Sequence, residues 1–283
     1  MKARNKFKYH GPKLSIIKSS GDVEQFNKSK LQRSLKRAGL RPKECKEITE
    51  QVAEKVRHGS TTHDIFKKTE KLVRQQSTIA ATHYSLKKSL LELGPTGYEF
   101  EQFVGRYFES IGFTSYVGIT LQGEFVRHEV DVVASRPNYQ TYVECKFHNT
   151  IGRKNDIKIV LYVKARWDDL KNGPDGKYLR EYYVATNTVF TSDALLYAEG
   201  VGLKLLGVNA PAEESFLDKI KRHKIYPITS LRRLKRIHCR ELLRRNIVLC
   251  SELLLKKDLL LSMGLTEDEI ENLFSDIVKL INH

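Results

Sequence analysis

Apolar positions recur along the chain with two different periods, and each change of period marks an element. Residues 14–26 alternate as a small hairpin: Leu14-Ser15-Ile16-Ile17-Lys18, a turn of Ser19-Ser20-Gly21-Asp22, then Val23-Glu24-Gln25-Phe26. Helical spacing then takes over. Asn27 is placed to cap a helix with Leu31, Leu35 and Ala38 on one face, ended by Gly39. A second helix has Pro42 in its first turn and carries Ile48, Val52 and Val56 to a stop at Gly59. Thr62 is expected to cap a third, bearing Ile65 and Leu72, and a fourth over residues 77–93 turns Ile79, Leu86 and Leu90 inward.

Gly94-Pro95-Thr96-Gly97 reads as a hinge and a domain boundary. From Tyr98 a helix sets Phe100, Phe103, Val104, Tyr107, Phe108 and Ile111 at helical spacing, a stripe that reads as core and not as a base-stacking platform. Strands follow around residues 116–121, then a hairpin of period two: Val130 and Val132 against Asp131, a Pro137-Asn138 turn, and Tyr142-Val143-Glu144-Cys145-Lys146-Phe147. A helix over 153–170, a strand over 182–185, a short helix over 192–199 and a strand over 203–208 complete this region. Residues 211–283 read as helical. The whole predicts a multidomain α/β chain: a basic arm at 1–13, a hairpin with a helical bundle at 14–93, an α-β-β-β-α-β core at 94–210 and a basic helical domain at 211–283.

The acid-bearing hairpin holds the candidate chemistry. Successive strand side chains point to opposite sides, so Glu144 and Lys146 emerge together while Cys145 turns into the core. If the hairpin pairs regularly, Asp131 lies beside Glu144. Two adjacent carboxylates repel each other, and a hard divalent cation with oxygen ligands, Mg²⁺ or Mn²⁺, compensates them better than a soft metal. Lys146 then stands near the ion, placed to orient a water and to balance charge on a phosphodiester. Strand context is what makes this a signal. A second Glu-Cys-Lys, at Glu44, Cys45 and Lys46, lies in a polar helical stretch and reads as solvated surface. Asp156-Ile157-Lys158 is a decoy of similar form, set aside by its helical position. His128 and Glu129, just before the acid, either join the site or stand exposed, and exposure is the simpler expectation.

The chain has 283 residues, 40% hydrophobic and 29% charged, which is a soluble globular composition with room for two or three cores. No apolar run is long enough to span a bilayer, and the basic start lacks the apolar stretch of a signal peptide, so a cytoplasmic protein is expected. Cys45, Cys145, Cys239 and Cys250 have no spacing that suggests a disulfide framework or a zinc site. With 49 Lys and Arg against 34 Asp and Glu, the net charge is +15. Such an excess points to a polyanion, with DNA ahead of an anionic membrane because the basic stretches lack an aromatic amphipathic face. The C-terminal Arg232, Arg233, Lys235, Arg236, Arg240, Arg244 and Arg245 would contact DNA phosphates or coat a bundle used for self-association.

Two resemblances sharpen these expectations. The order Ile17-Lys18-Ser19-Ser20-Gly21, then Val23 to Leu31 with Glu24, Asn27 and Lys30, resembles the ATP-cone, a nucleotide-binding regulatory module, over about residues 14–92. By that resemblance Lys18 and Lys30 contact phosphate, Glu24 and Asn27 lie near the nucleoside, Thr62 is the helix-capping threonine and Lys88 a late basic contact, for ATP or dATP. This chain has Ser19 where that family has Arg, and Phe66 where it commonly has His. Gly-Tyr-Glu-Phe-Glu at 97–101, Glu-Val-Asp-Val-Val at 129–133, Val-Glu-Cys-Lys at 143–146 and Val-Ala-Thr-Asn-Thr-Val-Phe-Thr at 184–191 look like the Mrr-type restriction endonucleases of the PD-(D/E)xK superfamily. That resemblance implies Asp131 and Glu144 as metal ligands, Lys146 as catalytic lysine and Glu101 as the helix acid completing the site. Leu261-Ser262-Met263-Gly264-Leu265-Thr266 weakly resembles the hairpin of a helix-hairpin-helix module.

The expected function is Mg²⁺-dependent DNA endonuclease action under adenine-nucleotide control, in a homodimer or larger assembly, with restriction of foreign DNA as its role. The alternatives are a non-enzymatic, nucleotide-responsive DNA-binding regulator and a repair or junction-resolving nuclease.

Overall fold

The computed structural model describes residues 14–18, 21–150 and 152–283. The expected basic arm at 1–13 and the turn residues Ser19 and Ser20 lie outside the described residues. Two units divide between Tyr84 and Ser85.

In the first unit, β1 (Ser15–Ile17) pairs antiparallel with β2 (Val23–Gln25), as the alternation predicted. The helices α1 (Lys28–Arg37) and α2 (Pro42–Lys55) follow. The Asn27 side chain accepts from Lys30 N at 3.0 Å, which satisfies one of the amides that a helix start leaves free. α2 ends at Lys55 and not at Gly59, because Val56 is extended (ψ 137°) and β3 (Ser60–Thr61) pairs parallel with β1. That pairing also moves the next cap by one residue. Thr61, not Thr62, accepts from Asp64 N at 3.0 Å and caps α3 (Thr62–Gln76). Leu31, Leu35, Ile48, Val52, Ile65 and Val73 close the core of this unit. The helix α4 (Thr78–Leu91) crosses the division between the units.

The second unit is built on a five-stranded sheet. After α5 (Tyr98–Ser110) come β4 (Thr114–Gln122), β5 (Arg127–Arg136) and β6 (Tyr139–Lys146), an antiparallel meander. Asn138 takes φ 58° in the two-residue turn between β5 and β6, the left-handed conformation that a tight hairpin needs and asparagine tolerates. Next come β7 (Lys154–Asn155), α6 (Ile157–Asn172), β8 (Leu179–Thr186), β9 (Val189–Phe190), α7 (Ser192–Val201) and β10 (Lys204–Leu206). The sheet order is β10-β8-β6-β5-β4, with β6, β8 and β10 parallel. α6 begins at Ile157, later than expected, because Lys154 and Asn155 pair with β9 and Asp156 caps the helix on Lys158 N at 3.0 Å. α6 and α7 share one core with Val130, Tyr142, Tyr182 and Val184. The aromatic stripe of α5 is core as expected: Phe100, Phe103 and Tyr107 pack around Phe216 of α8 (Phe216–His223).

The remaining helices are α9 (Arg236–Arg244), α10 (Lys257–Ser262) and α11 (Glu267–Asn282), the last two joined by a turn with Gly264 at φ 85°. Among the described residues no helix is long and apolar enough to cross a membrane.

Candidate active site

β5 and β6 part where the acids lie. Their ladder runs from Arg136 opposite Tyr139 to Val132 opposite Val143, and the next step of that register sets Asp131 against Glu144. β5 continues on β4 as far as Arg127, and β6 continues on β8 to Lys146 and Thr186, so the two central strands separate while each keeps its outer partner. The Asp131 carboxylate fills the fork, accepting from Cys145 N at 2.6 Å. A backbone amide that would otherwise lose its partner is thereby bonded.

Glu144 is 3% exposed and held from two sides. Lys146 Nζ donates to its Oε1 at 2.6 Å, and Arg166 Nη1 of α6 donates to its Oε2 at 2.5 Å. Glu144 and Lys146 thus share one side of β6, and Cys145 is buried, as strand alternation requires. Arg166, 8% exposed, also donates to the Glu129 carbonyl, and its guanidinium lies 5.5 Å from the Tyr162 ring. Sequence reasoning missed this arginine. Its signal was present: it stands at helical spacing from Val160, Val163 and Leu170, all fully buried, a place where a cation needs a carboxylate.

Glu101, in the first turn of α5, belongs to the same electrostatic cluster. Burial, then the charges of Asp131, Glu129, Glu144 and Glu99, push its carboxyl up to about 7. Burial and Glu144 push Asp131 up to about 6, against the lowering effect of Cys145 N. These are oxygen donors that repel one another, the setting that a hard divalent cation relieves. Among the described residues no three acid, His or Cys side chains are gathered as a finished metal cage. Asp131 and Glu144 offer carboxylate oxygens, the donor type that a hard cation such as Mg²⁺ takes one or two of beside its waters.

The end of β6 is locked by buried amides and hydroxyls. Thr186 Oγ1 donates to the Lys146 carbonyl at 2.7 Å, and Asn155 Nδ2 donates to Thr186 Oγ1 at 2.9 Å and Thr188 Oγ1 at 3.1 Å. Asn187 brackets His148, accepting from its N at 2.9 Å and donating to its carbonyl at 2.7 Å. This network fixes the backbone on which Lys146 sits. His128 is neither in the cluster nor exposed: its Nε2 meets Asp169 Oδ2 at 2.7 Å, in a ring of bonds that tie the 125–126 loop to α6. Glu129 is exposed, as expected.

In the first unit, Glu24 gathers two of the residues expected to meet a nucleotide. Its Oε2 lies 3.1 Å from both Lys18 Nζ and Lys30 Nζ. Burial would raise the Glu24 carboxyl, and the hydrogen bonds from Lys30 and Lys18 outweigh it, leaving it below the usual range. Asn27 caps the helix that carries Lys30, and Thr62 opens α3 directly after the β3 strand on β1. Lys88 lies in the second unit, 3.7 Å from Glu92.

Three family models match the chain: an ATP cone domain over residues 14–88, a restriction endonuclease domain of the Mrr catalytic type over 94–210, and the C-terminal part of AF1548-like proteins over 226–281. An uncharacterized protein of Archaeoglobus fulgidus is 32% identical over 180 residues, 63% of this chain and 99% of its own length. The crystal structure of AF1548, a protein of unknown function, superposes with a TM-score of 0.53 at 31% identity over 65% of this chain and 98% of that one. Protein VC1899 from Vibrio cholerae is similar at 22% identity and a TM-score of 0.31, over 45% of this chain and 32% of that one.

Proposed function

The chain belongs to the AF1548-like family, with an ATP cone domain ahead of a restriction endonuclease domain, and on that footing we propose that it is a divalent-metal-dependent DNA endonuclease controlled by an adenine nucleotide. The observation that carries this reading is the fork between β5 and β6, where Asp131, Glu144 and Lys146 meet beside Glu101. Asp131 and Glu144 would hold the cation. What a bound Mg²⁺ or Mn²⁺ supplies is a lowered pKa for water and charge stabilisation at the phosphodiester. Lys146 orients the attacking water and the scissile phosphate, within reach of the acids through its bond to Glu144. Glu101, with its carboxyl near 7, is suited to accept the water's proton at neutral pH. Arg166 pairs with the buried Glu144 carboxylate and aims it.

The domains of this reading are the nucleotide module at 14–93, the nuclease at 94–210 and the basic helical domain at 211–283. Lys18, Glu24, Asn27, Lys30 and Thr62 of the first unit would serve ATP or dATP. Cutting both strands of a duplex calls for two centres, hence a homodimer or larger assembly, and restriction of foreign DNA is the role that the family description suggests. The test is incubation of the purified chain with supercoiled plasmid in Mg²⁺, Mn²⁺ or EDTA, each with and without ATP or dATP. Metal-dependent nicking whose rate changes with nucleotide is expected. Tight, salt-sensitive DNA binding with no cleavage under any of these conditions would instead mark a DNA-binding regulator.

A further inference from the structure

A cavity of about 620 Å³ opens in the second unit where the end of α4, the Gly94-Pro95 linker, the start of α5 and the residues 229–244 around α9 meet. Five cations line it: Lys88, Arg232, Arg236, Arg240 and Arg244. Two carboxylates, Glu92 and Glu99, face them, so five positive charges stand against two negative ones, a net +3. Among the described residues no aromatic ring lines the cavity.

Three of the arginines form a row. Arg236, Arg240 and Arg244 recur every four residues on α9, one turn apart, about 6 Å per step and about 12 Å in all. Arg236 and Arg244 have side chains 83% and 78% exposed, and their ion pairs are long, 3.6 Å to Glu92 and 3.9 Å to Glu241. Arg240 is exposed and makes no ion pair among the described residues. Like charges one turn apart on a helix repel, and a polyanion laid along the row relieves that repulsion. The cavity wall and the acid fork both draw a residue from the start of α5. Glu99 on its wall and Glu101 of the fork sit together in the first turn of α5.

We propose that this cavity is a track for the DNA strand that flanks the scissile phosphate, with Arg236, Arg240 and Arg244 on successive backbone phosphates. The proposal rests on the nuclease reading above and gives that substrate its path across the C-terminal domain. A wall of cations without a stacking ring grips phosphates and leaves bases unread, so the contact is independent of sequence. The row is longer than the phosphate chain of a single nucleotide, and its steps suit an extended strand.

The test is binding of the full chain to a fluorescently labelled DNA duplex in EDTA, across a salt series, by anisotropy. Without divalent metal the cavity is judged on affinity alone, and the nuclease reading stands or falls separately on cleavage. Three chains are compared: the parent, the triple variant Arg236→Gln, Arg240→Gln, Arg244→Gln, and a control of equal charge loss, Lys46→Gln, Lys67→Gln, Lys71→Gln, whose residues are exposed and lie outside the cavity. The cavity triple is expected to flatten the salt slope by about 0.9 per arginine and to weaken binding on the order of 100-fold at about 0.1 M salt, with the control near the parent. Lysine at the same three positions keeps charge and reach and should restore most of the affinity. Equal losses in both triples, or no loss in the cavity triple, would overturn the proposal. So would a cavity triple that loses affinity for ATP while keeping that for DNA.

Discussion

Burial raises the Asp131 carboxyl most, the Glu144 charge adds to it, and the bond from the Cys145 amide works against both. The Asp131 carboxyl titrates at about 6 and that of Glu101 at about 7, both above the ordinary carboxylate range. A carboxyl raised in the folded state holds its proton more tightly there than in the unfolded chain. The stability it contributes is therefore complete below the unfolded value, about 4, and is lost as pH rises through about 6 and about 7. Without metal the protein should melt at lower temperature at pH 8 than at pH 5, and Asp131→Asn should flatten that dependence. Adding Mg²⁺ should raise the melting temperature at pH 8 in the parent and little in the variant. Parent and variant with the same pH slope would remove Asp131 from the cluster. The same residue also shows why this part of the centre could be read from the chain. Period-two alternation fixes that Glu144 and Lys146 share a side, and the tight Pro137-Asn138 turn fixes the register that brings Asp131 to them. Helical spacing marks Arg166 as buried, but its pairing with Glu144 comes only through the tertiary packing of α6.

At the scale of elements, α6 and the end of β6 hold the centre in place. Arg166→Ala would leave Glu144 buried with its α6 partner gone, a loss of about 3–5 kcal/mol for a broken buried pair. Thermal or urea unfolding should show it, and a change under about 1 kcal/mol would mean that the guanidinium is dispensable. Asn155→Ala removes one donor from the network under Lys146 and should cost about 1–3 kcal/mol, since its two bonds to the hydroxyls of Thr186 and Thr188 are lost. Cleavage by that variant should fall while DNA binding stays near that of the parent; unchanged cleavage would show that the network only stabilises. Elements with a strong period were legible, among them the α5 stripe and the β5–β6 hairpin. The misplaced starts have one cause. β3 and β7 are two residues each, too short to carry a periodicity, and exist only because β1 and β9 lie alongside. Each displaced the helix that follows: β3 made Thr61 the cap in place of its neighbour Thr62, and β7 delayed α6 to Ile157.

Over the whole molecule, an ATP cone domain precedes a restriction endonuclease domain in a chain of net charge +15, an excess that suits a polyanionic partner. A nucleotide that binds only the folded state raises its stability, by about 2.7 kcal/mol at a hundred times its Kd. ATP or dATP should therefore raise the melting temperature, and Lys18→Ala with Lys30→Ala should abolish that shift without altering the Mg²⁺ effect. A nucleotide shift of equal size in the double variant would place the ligand elsewhere. The central claim is that the fork between β5 and β6 cuts DNA, and cleavage by Lys146→Ala beside the parent tests it most directly. Both proteins would be given supercoiled plasmid in Mg²⁺, with duplex binding measured in EDTA. The account predicts that the parent nicks the plasmid, and that the variant loses at least about 100-fold in rate, as expected for removal of a group that orients the reaction, while binding DNA within a few-fold of the parent. Cleavage by the variant at the parent's rate would contradict it.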